Sequence, residues 1–231
     1  MNKKQPSDVT FIIIEEENIP FANWGINAFH SLVQSINNDQ IILLKDKEII
    51  SWLCGDTSFL PEIQTKNKTS DCRQYKILED EWGQKKMKLR RPDLHSNGQW
   101  TTKLGEHLCE EFCLLQNKKH YKPQKKQNFQ PDTETEDAIW EAKTQTFFTT
   151  GTAGEKILGV PTKYCEVPEL YGKPLKILCM GGAERECREH YFVLGEKCSR
   201  QKKKYLDFYR ENGVEFIGAT DLMKQFLSLP F

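Results

Sequence analysis

No run of apolar residues in this chain approaches the roughly 20 that a membrane-spanning helix needs. The Met-Asn-Lys-Lys-Gln start also lacks the apolar segment of a secretory signal, so the chain is expected to stay in the cytoplasm, away from membranes. Net charge is lacking too. The 33 Lys and Arg balance the 33 Asp and Glu, and the field of the whole molecule gives no reason to expect a polyanionic partner. Paired cysteine knuckles are missing. The eight cysteines (Cys54, Cys72, Cys109, Cys113, Cys165, Cys179, Cys187, Cys198) are scattered, several in apolar runs such as Ile177-Leu178-Cys179-Met180. In a reducing compartment they read as small core residues. Cys179, Cys187, His190 and Cys198 are zinc-type ligands in a short span, but without the CxxC spacing of a structural site. His107, His120 and His190 have no Asp or Ser at motif spacing, which leaves hydrolysis by a histidine triad without support. There is no internal repeat and no low-complexity tract.

With 231 residues, the chain can form one substantial domain or two small ones without disulfides. Val9 to Ile14 and Ile41 to Leu44 read as short strands, with a helical pattern around Asn27 to Ile36 between them. Polar residues from Pro61 to Asp71, and Arg90-Arg91-Pro92-Asp93 through Ser96-Asn97-Gly98, read as loops, and a boundary falls near residue 95. Beyond it, Leu104, Leu108, Phe112 and Leu115 recur at helical spacing and predict an amphipathic helix over Thr102 to Gln116, with Glu106 near its start. Phe129 to Glu134 and Ala138 to Lys143 read as a hairpin, and Thr152 to Leu158 as a helix begun at Gly151. Pro174 to Met180 is the near-continuous apolar run of a strand covered on both faces. A helix over Arg200 to Arg210, a strand over Val214 to Gly218 and a helix over Asp221 to Leu227 complete an order that implies an α/β sandwich.

Charge is distributed unevenly. Asn117 to Lys126 holds five lysines, Lys125 and Lys126 among them, and no acid. Asp132, Glu134, Glu136, Asp137 and Glu141 follow directly. A basic run abutting an acidic cluster suits a site that holds phosphates beside a cation, although a solvated loop before an acidic turn has the same composition.

The chemistry concentrates in Pro131-Asp132-Thr-Glu-Thr-Glu-Asp-Ala-Ile-Trp-Glu141-Ala-Lys143. On a strand, Glu141 and Lys143 project from one face while Trp140 and Ala142 turn into a core. If the hairpin closes through Thr135 to Ala138, Asp132 falls opposite Glu141. Two carboxylates so placed repel each other unless a divalent cation neutralises them. Magnesium suits such a pair, because it takes oxygen ligands and keeps waters or phosphate oxygens in its remaining positions. Beside it, Lys143 has three roles open: orienting the attacking water, deprotonating it, or balancing transition-state charge. A solvent-facing cross-strand ion pair is the rival reading of Glu141 and Lys143.

These residues resemble the PD-(D/E)XK nucleases, and among them the type II restriction endonucleases. The match consists of Pro131-Asp132, Glu141-Ala142-Lys143, the preceding Leu104-Gly105-Glu106 helix and the following Gly151-Thr-Ala-Gly-Glu-Lys-Ile157 helix start, and covers roughly residues 100 to 231. The resemblance implies an α/β fold, a PD-(D/E)XK core over residues 96 to 231 with a mixed central sheet flanked by helices. Residues 1 to 95 would be an N-terminal α+β extension serving DNA recognition or dimerisation. It further implies metal binding by Asp132 and Glu141, catalysis by Lys143, and help to the metal from Glu106. The implied activity is magnesium-dependent hydrolysis of double-stranded DNA at a short sequence by a homodimer, with a cognate methyltransferase protecting the host genome. Symmetric sites favour a two-fold dimer. Candidate DNA contacts are Gln145, which continues the face of Glu141 and Lys143, the Gly151 and Thr152 turn, Lys125, Lys126, Arg90 and Arg91, with Arg200 to Lys204 and the amides of Gln84, Asn97 and Gln99 as further possibilities. A junction-resolving or repair nuclease of the same fold, and a DNA-binding module with an inert hairpin, are the alternatives.

Overall fold

A computed structural model describes residues 23–63, 68–95, 100–149 and 153–228. Among them the chain forms helices α1 (Asn23–Ser35), α2 (Lys47–Leu53), α3 (Lys68–Arg90) and α4 (Trp100–Leu115) before the first strand. Strands β1 (Thr133–Glu134) and β2 (Ile139–Gln145) follow, then helices α5 (Ala153–Leu158), α6 (Val160–Lys163) and α7 (Val167–Tyr171). The remaining elements are β3 (Leu175–Gly181), α8 (Gly182–Glu189), α9 (Arg200–Glu211), β4 (Val214–Gly218) and α10 (Ala219–Ser228). The result is a mixed α/β fold around a four-stranded sheet ordered β1-β2-β3-β4, antiparallel between β1 and β2 and parallel thereafter.

The sheet is covered on both faces because its strands alternate between two cores. Trp140, Ala142, Leu178 and Met180 join one core with Leu104, Leu108 and Phe112 of α4 and with the N-terminal helices. Ile139, Ile177, Cys179 and Val214 join a second core with Ile157, Val160, Val167 and Tyr171 of α5 to α7. The first core takes residues from both sides of position 95, from Phe29 and Trp52 to Met180 and Met223.

Two expectations for the N-terminal part change. Ile41 to Leu44 is a buried loop, not a strand. The carboxylate of Glu111 on α4 accepts the backbone N–H groups of Ile42 (3.1 Å), Leu43 (2.9 Å) and Leu44 (2.8 Å), which replaces a sheet partner for a run whose Ile41, Leu43 and Leu44 are all buried. The described part of the extension therefore contains helices and no strand, while Val9 to Ile14 lies outside the described residues. From Lys68 the polar stretch is helical, in the long α3. Its Glu79, buried by packing and so raised to about pKa 7, accepts Trp52 Nε1–H at 2.6 Å and the Phe147 N–H at 2.9 Å.

Helix α4 approaches β2 closely at Gly105, where an added Cβ would collide with the Thr144 side chain. Gly105→Ala is therefore expected to push α4 off the strand and to destabilise the fold by roughly 1–3 kcal/mol. A urea titration checks this, and an unchanged midpoint would show that the contact relaxes freely.

Candidate active site

The β1–β2 hairpin positions the first three candidates. Thr135 N–H donates to the Ala138 carbonyl at 2.9 Å, closing the expected turn, and Thr133 pairs with Trp140 and Glu134 with Ile139. One step further, Asp132 stands across from Glu141, and its N–H donates to the Trp140 carbonyl at 3.1 Å. Asp132 Oδ2 accepts the Ala142 N–H at 2.9 Å, which fixes that carboxylate beside β2.

Period-2 alternation does the rest. With Trp140 and Ala142 in the first core, Glu141 and Lys143 share the opposite face. Lys143 Nζ lies 2.6 Å from Glu141 Oε1, and the Glu141 side chain is only 6% exposed. A solvent-facing ion pair does not bury its carboxylate this far. The second oxygen, Glu141 Oε2, is buried without a hydrogen-bond partner.

Burial raises the Asp132 carboxyl from 3.8 to about 6, with the charges of Glu141 and Glu106 adding to the effect and Ala142 N–H and Lys143 opposing it. The neighbouring acids are neutralised elsewhere. Glu134 pairs with Lys173 at 2.7 Å, Asp137 with Lys118 at 2.5 Å, and Glu136 is exposed in the turn. Asp132 and Glu141 are thus the two members of the acidic cluster that converge. From the basic run, Lys122 Nζ reaches to 3.9 Å of Asp132 Oδ1. Tyr164, which no sequence signal marked, brings its hydroxyl to the same place. Burial first, then the charge of Glu141 and a hydrogen bond to its carboxylate, and last the charge of Asp132, raise its pKa.

Glu106 is near but engaged. It stands on α4, which packs on the Trp140 face, and its carboxylate pairs with Lys103 at 3.1 Å while its charge acts on Asp132. In the magnesium-dependent nuclease that the resemblance implies, Glu106→Gln is expected to raise the magnesium concentration at which cleavage is half-maximal. An unchanged magnesium dependence would reduce Glu106 to a surface partner of Lys103.

Comparison with protein-family models, with curated proteins and with solved structures gives no match for this chain. The resemblance to the PD-(D/E)XK nucleases therefore rests on the chain's own residues. Among the described residues no group of three or more His, Cys, Asp and Glu side chains forms a metal site from protein ligands alone. Magnesium does not demand one, being held by one or two carboxylates with waters and substrate phosphate completing its shell. Two converging carboxylates, one with an unpartnered buried oxygen, fit that pattern.

The candidate DNA contacts are dispersed. Gln145 Nε2 lies 3.5 Å from the Gly182 carbonyl, at the limit of a hydrogen bond. Lys126 donates to the Leu170 carbonyl at 2.7 Å and sits over the Tyr171 ring, while Lys125 is exposed. Arg90 is committed inside the fold, donating to the His107 carbonyl and to Glu110 (both 2.7 Å) and to the buried Glu111 at 3.3 Å. Arg91 is on the surface, paired with Asp93 at 2.9 Å. Gly151, Thr152, Asn97 and Gln99 lie outside the described residues.

Proposed function

We propose that this chain is a magnesium-dependent DNA endonuclease of the PD-(D/E)XK kind, acting as a type II restriction endonuclease on double-stranded DNA at a short sequence. The observation that carries this reading is the buried Glu141 carboxylate beside the half-buried Asp132, with Lys143 Nζ 2.6 Å from Glu141. Buried carboxylates held side by side oppose folding, so their placement is best explained by a ligand that rewards it.

Asp132 and Glu141 would hold the magnesium, Glu141 through the buried oxygen that Lys143 does not take. Bound there, the ion would polarise the scissile phosphate and acidify a water. Hydrolysis adds the water oxygen to phosphorus and breaks one P–O ester bond, so the water's proton must leave and the departing oxygen must gain one. Lys143, as the ammonium paired with Glu141, would hold that water by donating to its oxygen and would balance charge on the phosphoryl group, while solvent takes the water's proton and supplies one to the departing oxygen. Lys122 adds positive charge on the Asp132 side, where a phosphodiester backbone would pass. Asp132 must ionise before it can serve as a ligand.

The restriction role comes from the resemblance and requires base-reading groups outside the hairpin. Several amide or guanidinium contacts, each giving roughly 1–3 kcal/mol of discrimination, would confine cutting to one motif. Digestion of a long unmodified linear duplex with magnesium should therefore yield discrete bands whose ends share one sequence. A smear, or cutting only at four-way junctions, would move the role to a structure-directed or repair nuclease. Binding without any cutting would leave an inert DNA-binding module.

A further inference from the structure

Helix α9 carries a face that the candidate active site does not use. Ser199 caps it, its side chain accepting the Lys202 N–H at 3.2 Å, and no residue of the helix is fully buried. Leu206 and Tyr209 turn toward Val214 and Phe216 of β4. On the outer side, Gln201, Lys204, Tyr205 and Phe208 line a shallow groove at helical spacing. Tyr205 is 57% and Phe208 58% exposed, two large rings presented to solvent about one helical turn apart.

The exposed charge beside those rings is mainly positive, with one exposed acid, Glu211, a turn beyond Phe208. Lys202 turns to the Tyr191 carbonyl, and Arg210 pairs with Asp207 and Glu215. Lys197, Arg200, Lys203 and Lys204 are exposed and carry no ion pair among the described residues. Flat π-faces interleaved with unpaired cations match the chemistry of a single-stranded nucleic acid, whose bases stack on aromatic rings while its phosphates follow the positive charge. Paired bases keep their faces within the duplex and offer nothing to Tyr205 or Phe208.

Other occupants fit less well. Insertion into a membrane surface needs a broad apolar face, and here the two rings share theirs with Gln201, Lys204 and the exposed Glu211. A second copy related by two-fold symmetry would bring Arg200 and Lys204 against their own counterparts.

We infer that the outer face of α9 is a binding site for unpaired nucleic-acid strands, with Tyr205 and Phe208 stacking on bases and Arg200 and Lys204 contacting phosphates. This site stands apart from the reading of Asp132, Glu141 and Lys143 and is tested without it. The experiment is fluorescence anisotropy of a labelled oligothymidine and of a duplex of equal length, with the full chain in EDTA. The expected result is that the double variant Tyr205→Ala/Phe208→Ala weakens oligothymidine binding about tenfold or more and leaves duplex binding unchanged. Tyr205→Trp/Phe208→Trp should retain it, and Arg200→Glu/Lys204→Glu should flatten its salt dependence. Three results would overturn the inference: equal oligothymidine affinity in the alanine variant, binding to phosphatidylserine vesicles in place of the oligonucleotide, or a dimer that dissociates when the two rings are removed.

Discussion

Alanine at Asp132, Glu141 or Lys143 is expected to lower DNA cleavage by roughly 10²–10⁴-fold while duplex affinity stays within a few-fold of the wild type. The three side chains form one unit, so the losses should not add: a double variant falls little further than the worse of its two singles. Lys143→Ala needs its own control, because it strips the cation from a carboxylate that is only 6% exposed. Breaking a buried pair from one side costs about 3–5 kcal/mol. Glu141→Gln/Lys143→Ala removes both charges and should recover most of that stability without recovering cleavage. Single-turnover rates measured beside urea midpoints separate the two effects. Wild-type cleavage by Lys143→Ala would remove the lysine from the chemistry.

Asp132→Asn is expected to abolish cleavage and to stabilise the protein at neutral and alkaline pH. Burial first, then Glu141 and Glu106, hold the folded Asp132 carboxyl at about 6 against 3.8 for the free group. A raised carboxyl pKa favours the protonated form in the native state. The native state is therefore fully favoured below about pH 4, and loses stability as pH rises through about 6. With each unit equivalent to about 1.4 kcal/mol, the penalty above pH 6 is on the order of 2–3 kcal/mol. An asparagine carries no such penalty and can still accept the Ala142 N–H. The melting temperature of Asp132→Asn should exceed that of the wild type at about pH 8 and converge with it toward pH 4. Magnesium should raise the wild-type value and leave the variant's unmoved. Equal stability at alkaline pH would mean that Asp132 is not held against repulsion.

Much of this site was legible because it is local. A turn at Thr135 to Ala138 sets the register by itself, and alternation of Trp140 and Ala142 with Glu141 and Lys143 sets the face. The helix bearing Leu104, Leu108, Phe112 and Leu115 was legible for the same reason, as was the apolar run of β3 that both cores cover. What could not be read depends on partners far away in the chain. Ile41 to Leu44 has the composition of a strand, but its N–H groups go to Glu111, 67 to 69 residues on. Arg90 looked like a DNA contact by charge, yet that charge offsets Glu110 and Glu111. Helix α3 has no clear apolar stripe, since its Trp82 and Met87 enter the first core beside a buried acid, Glu79, that holds Trp52 and the Phe147 N–H. Tyr164 reaches Asp132 and Glu141 only through the packing of α5 to α7, which no spacing in the sequence encodes.

Conversion of supercoiled plasmid tests most directly whether Asp132, Glu141 and Lys143 form the proposed magnesium-dependent phosphodiesterase site. Wild-type protein should nick or linearise the plasmid with magnesium and not in EDTA, and Lys143→Ala, folded and DNA-bound, should leave it supercoiled under both conditions. An intact plasmid after prolonged incubation of folded, DNA-bound wild-type protein with magnesium would contradict the claim, as would equal cutting by wild type and Lys143→Ala.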